Sequence, residues 1–136
     1  RPPRSTLDRS SAASDVYKRQ ISDVGRLMMQ MHAAEAILAQ SGKAVDLTIA
    51  DPTTASVARA SIAVAEAKIL TTEIALSATN KLFELAGTKS TLSEFQLDRH
   101  WRNARVHTLH DPVRWKYQAV GNYYLNDDTP QRNAWL

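Results

Sequence analysis

The sequence predicts an all-α fold, an antiparallel four-helix bundle whose first helix is truncated. Three observations predict it. Apolar residues recur at intervals of three and four through most of the chain. No stretch alternates apolar and polar residues as a half-buried strand would. Asp-Pro and Gly punctuation cuts the chain into segments of helical length.

With 136 residues there is room for one domain, large enough to bury a core without disulfides or metals. The chain has no cysteine. That excludes disulfides, thiolate metal sites and a cysteine nucleophile, and it fits a reducing cytoplasm. The net charge is +3, but residues 1–20 hold five of the 17 basic and two of the 14 acidic residues. The remainder is neutral, so the basic balance points to no nucleic-acid partner. No apolar run approaches the roughly 18–20 residues of a membrane span, and no secretory h-region is present. A cytoplasmic protein without membrane contact is expected.

Residues 1–20, RPPRSTLDRSSAASDVYKRQ, are polar and Ser/Arg-rich, with almost no apolar periodicity. They read as a leader outside the fold. It is either a disordered tail or, by preference, an adapter-like translated string of the kind found at the ends of incomplete reading frames. The folded domain is expected to span residues 21–136.

The first helix is expected from Ile21, where Ile21, Val24, Leu27, Met28, Met31, Ala34 and Leu38 make one apolar stripe. Ser41-Gly42 supplies its stop. Asp51 is expected to cap the second helix and Pro52 to fill its first position. That helix runs to Ala86 with two stripes, one of Ala58, Ile62, Ala65, Ile69, Leu76 and Phe83, the other of Val57, Val64, Ala67, Ile74, Ala78, Leu82 and Leu85. Two buried faces make it central in the bundle. Gly87 ends it, and Gly87–Thr91 forms a polar loop. A capping box of Ser93 with Gln96, or Thr91 with Glu94, is expected to open the third helix, which carries Phe95, Leu97, Trp101, Ala104 and Leu109. Asp111-Pro112 repeats the earlier start and opens a fourth, with Val113, Tyr117, Val120 and Tyr124 as its stripe. Asn126-Asp127-Asp128 and Pro130 end it, and the chain finishes in Trp135 and Leu136.

Two clusters could carry chemistry. His107 and His110 lie three residues apart and share a helical face, with Asp111 adjacent. Two histidines and one carboxylate do not complete a coordination shell, so no metal is expected. From spacing alone, His107 reads first as a partly buried hydrogen-bonding residue and Asp111 as a helix cap. The second cluster, Gly87, Thr88, Lys89, Ser90 and Thr91, offers a cation and hydroxyls suited to an anion such as phosphate. It lacks P-loop spacing, and a plain helix connection explains it as well. The aromatics Trp115, Tyr117, Tyr123 and Tyr124 read as core and subunit-interface residues.

The long central helix, the loop after Gly87 and the Arg102-Asn103-Ala104-Arg105-Val106 segment resemble the C-terminal domain of acyl-CoA dehydrogenases. The run Leu97 to Asn126, LDRHWRNARVHTLHDPVRWKYQAVGNYYLN, is more specific. It is similar to the flavin-dependent monooxygenase branch of that fold, close to the sulfur-acquisition oxidoreductases and the dibenzothiophene monooxygenases. The resemblance covers residues 21–136.

The resemblance implies a fragment of a two-component monooxygenase. Such an enzyme uses reduced FMN from a separate flavin reductase, with O2, on a small organosulfur compound. It also implies a homotetramer, with FAD as the alternative cofactor. His110 and His107 would face the flavin's reactive edge, and Asp111 would orient His110. Gly87, Lys89, Ser90 and Thr91 would reach a flavin held mainly by a neighbouring subunit, with Lys89 near its phosphate. The dehydrogenases carry a catalytic glutamate followed by Gly-Thr where this chain has Asp111-Pro112-Val113. That departure argues against the alternative, an FAD-dependent acyl-CoA dehydrogenase. A non-catalytic helical assembly module is the third reading. The isolated chain is expected neither to bind flavin tightly nor to turn over.

Overall fold

Alanine recurring at helical spacing between Ala58 and Ala67 makes the second helix a spine that neighbours can approach closely. A computed structural model of the protein describes residues 6–131, with side chains from residue 13 onward. It contains α1 (Thr6–Ala50), α2 (Thr54–Ala86), a 3-10 turn at Thr88–Thr91, α3 (Asp98–His110) and α4 (Arg114–Asn126). There is no strand among the described residues. α1 and α2 form a long antiparallel hairpin, and α3 and α4 each pack on α2.

Three polar contacts fix the hairpin register. Gln20 Nε2 donates to the Leu85 carbonyl at 3.4 Å, Lys81 pairs with Asp23 at 3.7 Å, and the Thr48 hydroxyl donates to the Ser56 carbonyl at 3.0 Å. The buried seam between them is built from small side chains. Ala34 and Ser41 come from α1, and Ala58, Ile62, Ala65, Ile69 and Thr72, which share one helical face, from α2, while Ala60 and Ala67 are buried on its opposite face. Ile62 is the bulkiest fully buried side chain. Small residues lose little rotamer entropy on burial and let dispersion act between backbones.

α1 departs from the sequence expectation in three ways. It begins at Thr6 rather than near Ile21. Gln20 lies level with Leu85, so residues 13–19 project past the end of α2 and are exposed. Ser41-Gly42 does not stop it, and the helix continues to Ala50. The Ser41 hydroxyl donates to the Leu38 carbonyl at 2.8 Å, and the side chain is buried against the hairpin partner. Pairing with α2 outweighs the roughly 1 kcal/mol cost of a mid-helix glycine. The expected core stripe is also rotated. Ala34 is buried, but Ile21, Val24, Met28, Met31 and Leu38 are exposed. The small residues beside them face α2 because only they permit its close approach.

The cap assignments shift by a few residues. Thr53, not Asp51, caps α2. Its hydroxyl accepts from the Ser56 N–H at 3.0 Å, while the Ser56 hydroxyl accepts from the Thr53 N–H at 2.8 Å. Pro52 therefore precedes the cap. Gly87 ends α2 as expected, with φ +75. Neither expected capping box opens α3. It starts at Asp98 after Leu97, with no side-chain cap, and Gln96 adopts φ 48. Asp98 instead pairs with Arg102 at 2.7 Å one turn on. Asp111 terminates α3 rather than capping α4, which opens at Arg114. Asp127, at φ 53, ends α4 where the Asn-Asp-Asp run predicts. Trp135 and Leu136 lie outside the described residues.

α4 is held to α2 by two tyrosine–glutamate contacts. The Tyr117 hydroxyl donates to Glu73, and Tyr124 lies near enough to Glu66 for that carboxylate to raise its pKa. The partners are seven residues apart on both helices, two turns, which sets α4 antiparallel to α2. Each carboxylate raises its tyrosine's pKa above the ordinary 10.0, with burial adding to the effect. No described helix is long and apolar enough to cross a membrane.

Two outcomes test this packing. Ala65 is 2 % exposed, so Ala65→Leu should overpack the seam and cost about 1–3 kcal/mol in urea unfolding. A milder loss would mean the hairpin is loose. A raised folded pKa means the two tyrosines' contribution is complete below pH 10.0 and is lost as pH rises through their folded values. The urea midpoint should therefore fall as the pH rises above 10.0. The Tyr117→Phe, Tyr124→Phe double variant should show a shallower fall.

Candidate functional site

The junction between α3 and α4 gathers the first cluster. α3 ends at His110, and Asp111 leaves it at φ −139, ψ 89. The residue before a proline is pushed out of helical conformation, so Pro112 accounts for the break. The chain then re-enters a helix, with the Lys116 and Tyr117 N–H groups both donating to the Val113 carbonyl, at 2.9 and 3.1 Å. The Asp111 carboxylate meets the Lys116 ammonium at 3.1 Å, and that lysine side chain is only 8 % exposed.

His107 and His110 both lie exposed on α3. His107 Nε2 sits 3.4 Å from Lys68 Nζ on α2. An ammonium can only donate, so the contact makes Nε2 the acceptor and leaves Nδ1 to carry the ring proton. Among the described residues no group of three or more His, Asp or Glu is placed to share a metal ion.

The second cluster is a rigid turn. Gly87 takes a left-handed φ of +75, and a Cβ built there would meet nothing within 4 Å. The Ser90 hydroxyl is buried and donates to the Gly87 carbonyl at 2.5 Å and the Phe83 carbonyl at 3.4 Å. It braces the turn from inside. Lys89 and Thr91 are exposed, and the Thr91 hydroxyl donates to the Thr88 carbonyl at 2.8 Å. The turn thus presents a cation and hydroxyls on its outer side.

The two clusters are not brought together. His107 touches Lys68, whereas the turn follows Ala86. At 1.5 Å per residue the two points are roughly 27 Å apart along α2. Neither cluster lines the cleft of about 670 Å³ that the described residues form beside α2. That cleft lies over α2 between α1 and α4, where Arg59, Glu66, Asp51 and Tyr124 face it. Lys68 and Lys116 escape a reading by sequence. Lys68 looks like a solvated interruption of an apolar helix, and Lys116 stands five residues after Asp111, outside the usual helical pair spacings.

The family model described as acyl-CoA dehydrogenase, C-terminal domain matches residues 4–115. A dibenzothiophene monooxygenase of Mycolicibacterium goodii is 48 % identical over 63 residues, which is 46 % of this chain and 15 % of that protein. The "Probable FMNH2-dependent monooxygenase SfnC" of Pseudomonas putida is 41 % identical over 69 residues, 51 % of this chain and 18 % of that one. Among solved structures, FMN-bound TdsC from Paenibacillus sp. A11-2 superposes with a TM-score of 0.82 at 31 % identity. The match covers 87 % of this chain and 30 % of TdsC. The chain therefore spans less than a third of the length of the relatives it matches. With the family match running through the hairpin, the polar turn and the His107–Asp111 junction, the chain belongs to the acyl-CoA dehydrogenase C-terminal domain family.

Proposed function

We propose that this domain is part of a flavin-dependent monooxygenase that uses reduced FMN and O2 on a small organosulfur compound. The observation that carries the reading is the exposed His107–His110 face ending in Asp111, on a chain similar to dibenzothiophene monooxygenases and to FMN-bound TdsC. A separate flavin reductase would supply the reduced cofactor.

The residues present fit FMN in two portions. Lys89, beside the Thr88 and Thr91 hydroxyls on an exposed turn, suits a phosphate. Lysine supplies a point charge there, without the bidentate fork of arginine. The exposed imidazoles suit the polar edge of the flavin ring, where His110 would donate a hydrogen bond. Bound FMN supplies the redox chemistry itself.

The separation of roughly 27 Å along α2 exceeds what one mononucleotide flavin can span. Each flavin would then take His110 from one chain and Lys89 from another, which requires a homo-oligomer. A tetramer is the form this reading favours. Many large apolar side chains are exposed on α1, α3 and α4, including Met29, Leu47, Val106 and Leu125, and such surface serves assembly. The dehydrogenase alternative needs Asp111 as a free base, and its carboxylate instead faces the buried Lys116 ammonium.

In the full-length protein, His110→Ala should lower kcat by about 10²–10⁴-fold with FMN affinity retained. Lys89→Ala should weaken FMN binding roughly tenfold or more by titration, as expected for a lost charged hydrogen bond. Coexpressing the two variant chains provides the decisive check, because mixed oligomers regain intact sites only if the two residues come from different chains. Activity no higher than that of the separate variants would refute the shared site. Bleaching of bound FAD by an acyl-CoA would move the protein to the dehydrogenases.

A further inference from the structure

A lysine is almost never buried unless it is paired, and Lys116 is 6 % exposed in the first turn of α4. Its ammonium meets the Asp111 carboxylate at 3.1 Å. The two residues are five apart, a spacing at which side chains on a continuous helix do not meet. They meet here because the chain breaks between them. Asp111 leaves α3 at φ −139, ψ 89, Pro112 forbids helical continuation before it, and α4 resumes at Arg114. The ion pair therefore spans the break itself.

Three hydrogen-bond terms close the same turn. Lys116 contributes both its backbone N–H, donated to the Val113 carbonyl at 2.9 Å, and its side chain, while Tyr117 N–H donates to Val113 as well. His110 is the last residue of α3 and the immediate neighbour of Asp111. Its ring is exposed, so little packing of its own fixes its direction. What the structure sets is the backbone it stands on, and with it the path of its Cα–Cβ bond.

A methionine would fill the volume of the Lys116 side chain and avoid desolvating a charge. Burying an ion pair is a poor route to stability, and its attested use is to specify one geometry. We propose that Lys116 is a positioning residue, its buried ammonium clasping Asp111 across the α3–α4 junction so that His110 is presented in a single direction. The clasp itself stands on geometry, and its consequence for turnover rests on the flavin reading given above.

The test uses the full-length flavin-loaded protein with Lys116→Met, Lys116→Arg and Asp111→Asn. Amide hydrogen exchange at Lys116 and Tyr117, whose N–H groups donate to the Val113 carbonyl across the junction, should quicken on the order of tenfold in Lys116→Met and Asp111→Asn, while exchange around Ile62 and Ile69 stays unchanged. Lys116→Arg, which keeps the charge, should restore slow exchange. In Lys116→Met, kcat should fall roughly tenfold or more, as misplaced groups do, with KM and FMN affinity held, and Lys116→Arg should recover it. Unchanged exchange at the junction would overturn the proposal. So would a uniform rise in exchange with kcat and KM moving together, since Lys116 would then merely hold α4 in the fold. Local exchange is independent of flavin chemistry. If the junction responds but His110→Ala leaves turnover intact, the clasp stands and the flavin reading falls.

Discussion

Close contact between α1 and α2 is the constraint on which the rest of the structure depends. Alanine, serine and threonine line most of the seam, and their small volume brings the two backbones together over the span from Gln20 to Thr48. α2 thereby becomes a stiff rod of 33 residues with every major helical neighbour docked on it. Its residues serve different partners in turn. Glu66 and Glu73 hold α4, Lys68 meets His107 on α3, and Phe83 receives both the Gly87 N–H and the Ser90 hydroxyl at the far end. Distances between these points are set by helical rise, so they cannot be closed by a loop movement.

Using small residues inside has a consequence outside. Ile21, Val24, Met28 and Leu38 on α1 are displaced from the seam to the surface, alongside Val106 and Leu109 on α3 and Trp115 and Leu125 on α4. So many exposed large apolar side chains mark surfaces suited to a partner. They suit a domain whose relatives are several times longer, as the 30 % coverage of TdsC shows for one of them.

The two polar clusters divide the chemistry by their local physics. The turn after Gly87 is braced from within by Ser90, leaving Lys89 and Thr91 exposed, where the proposed function would have them hold an anion. The α3–α4 junction is braced by a buried ion pair and leaves imidazoles outward, where the proposed function would have them meet the flavin. In both, an interior residue braces the backbone and the exposed ones are left open to a partner. Neither needs a deep pocket in this domain, provided that another surface closes over it.

By itself the sequence determined the helical class, the central place of α2 and its end at Gly87, the end of α4 at Asp127 and the residues of both polar clusters. Those features follow from periodicity, from glycine's access to positive φ and from a specific motif, all of them local. Only the tertiary structure decided which face of α1 is buried, because the choice between Ala34–Ser41 and the neighbouring Met28–Leu38 stripe depends on how near α2 can come. It likewise decided that Ser41-Gly42 continues a helix, since pairing energy along a hairpin is invisible in a local window. The cap moved from Asp51 to Thr53 because Ser56 reciprocates its hydrogen bond. The partnership of Asp111 with Lys116, and of His107 with Lys68, required knowing where a chain break and a helix crossing fall. Such contacts join residues that sequence spacing does not pair, and folding alone brings them within reach.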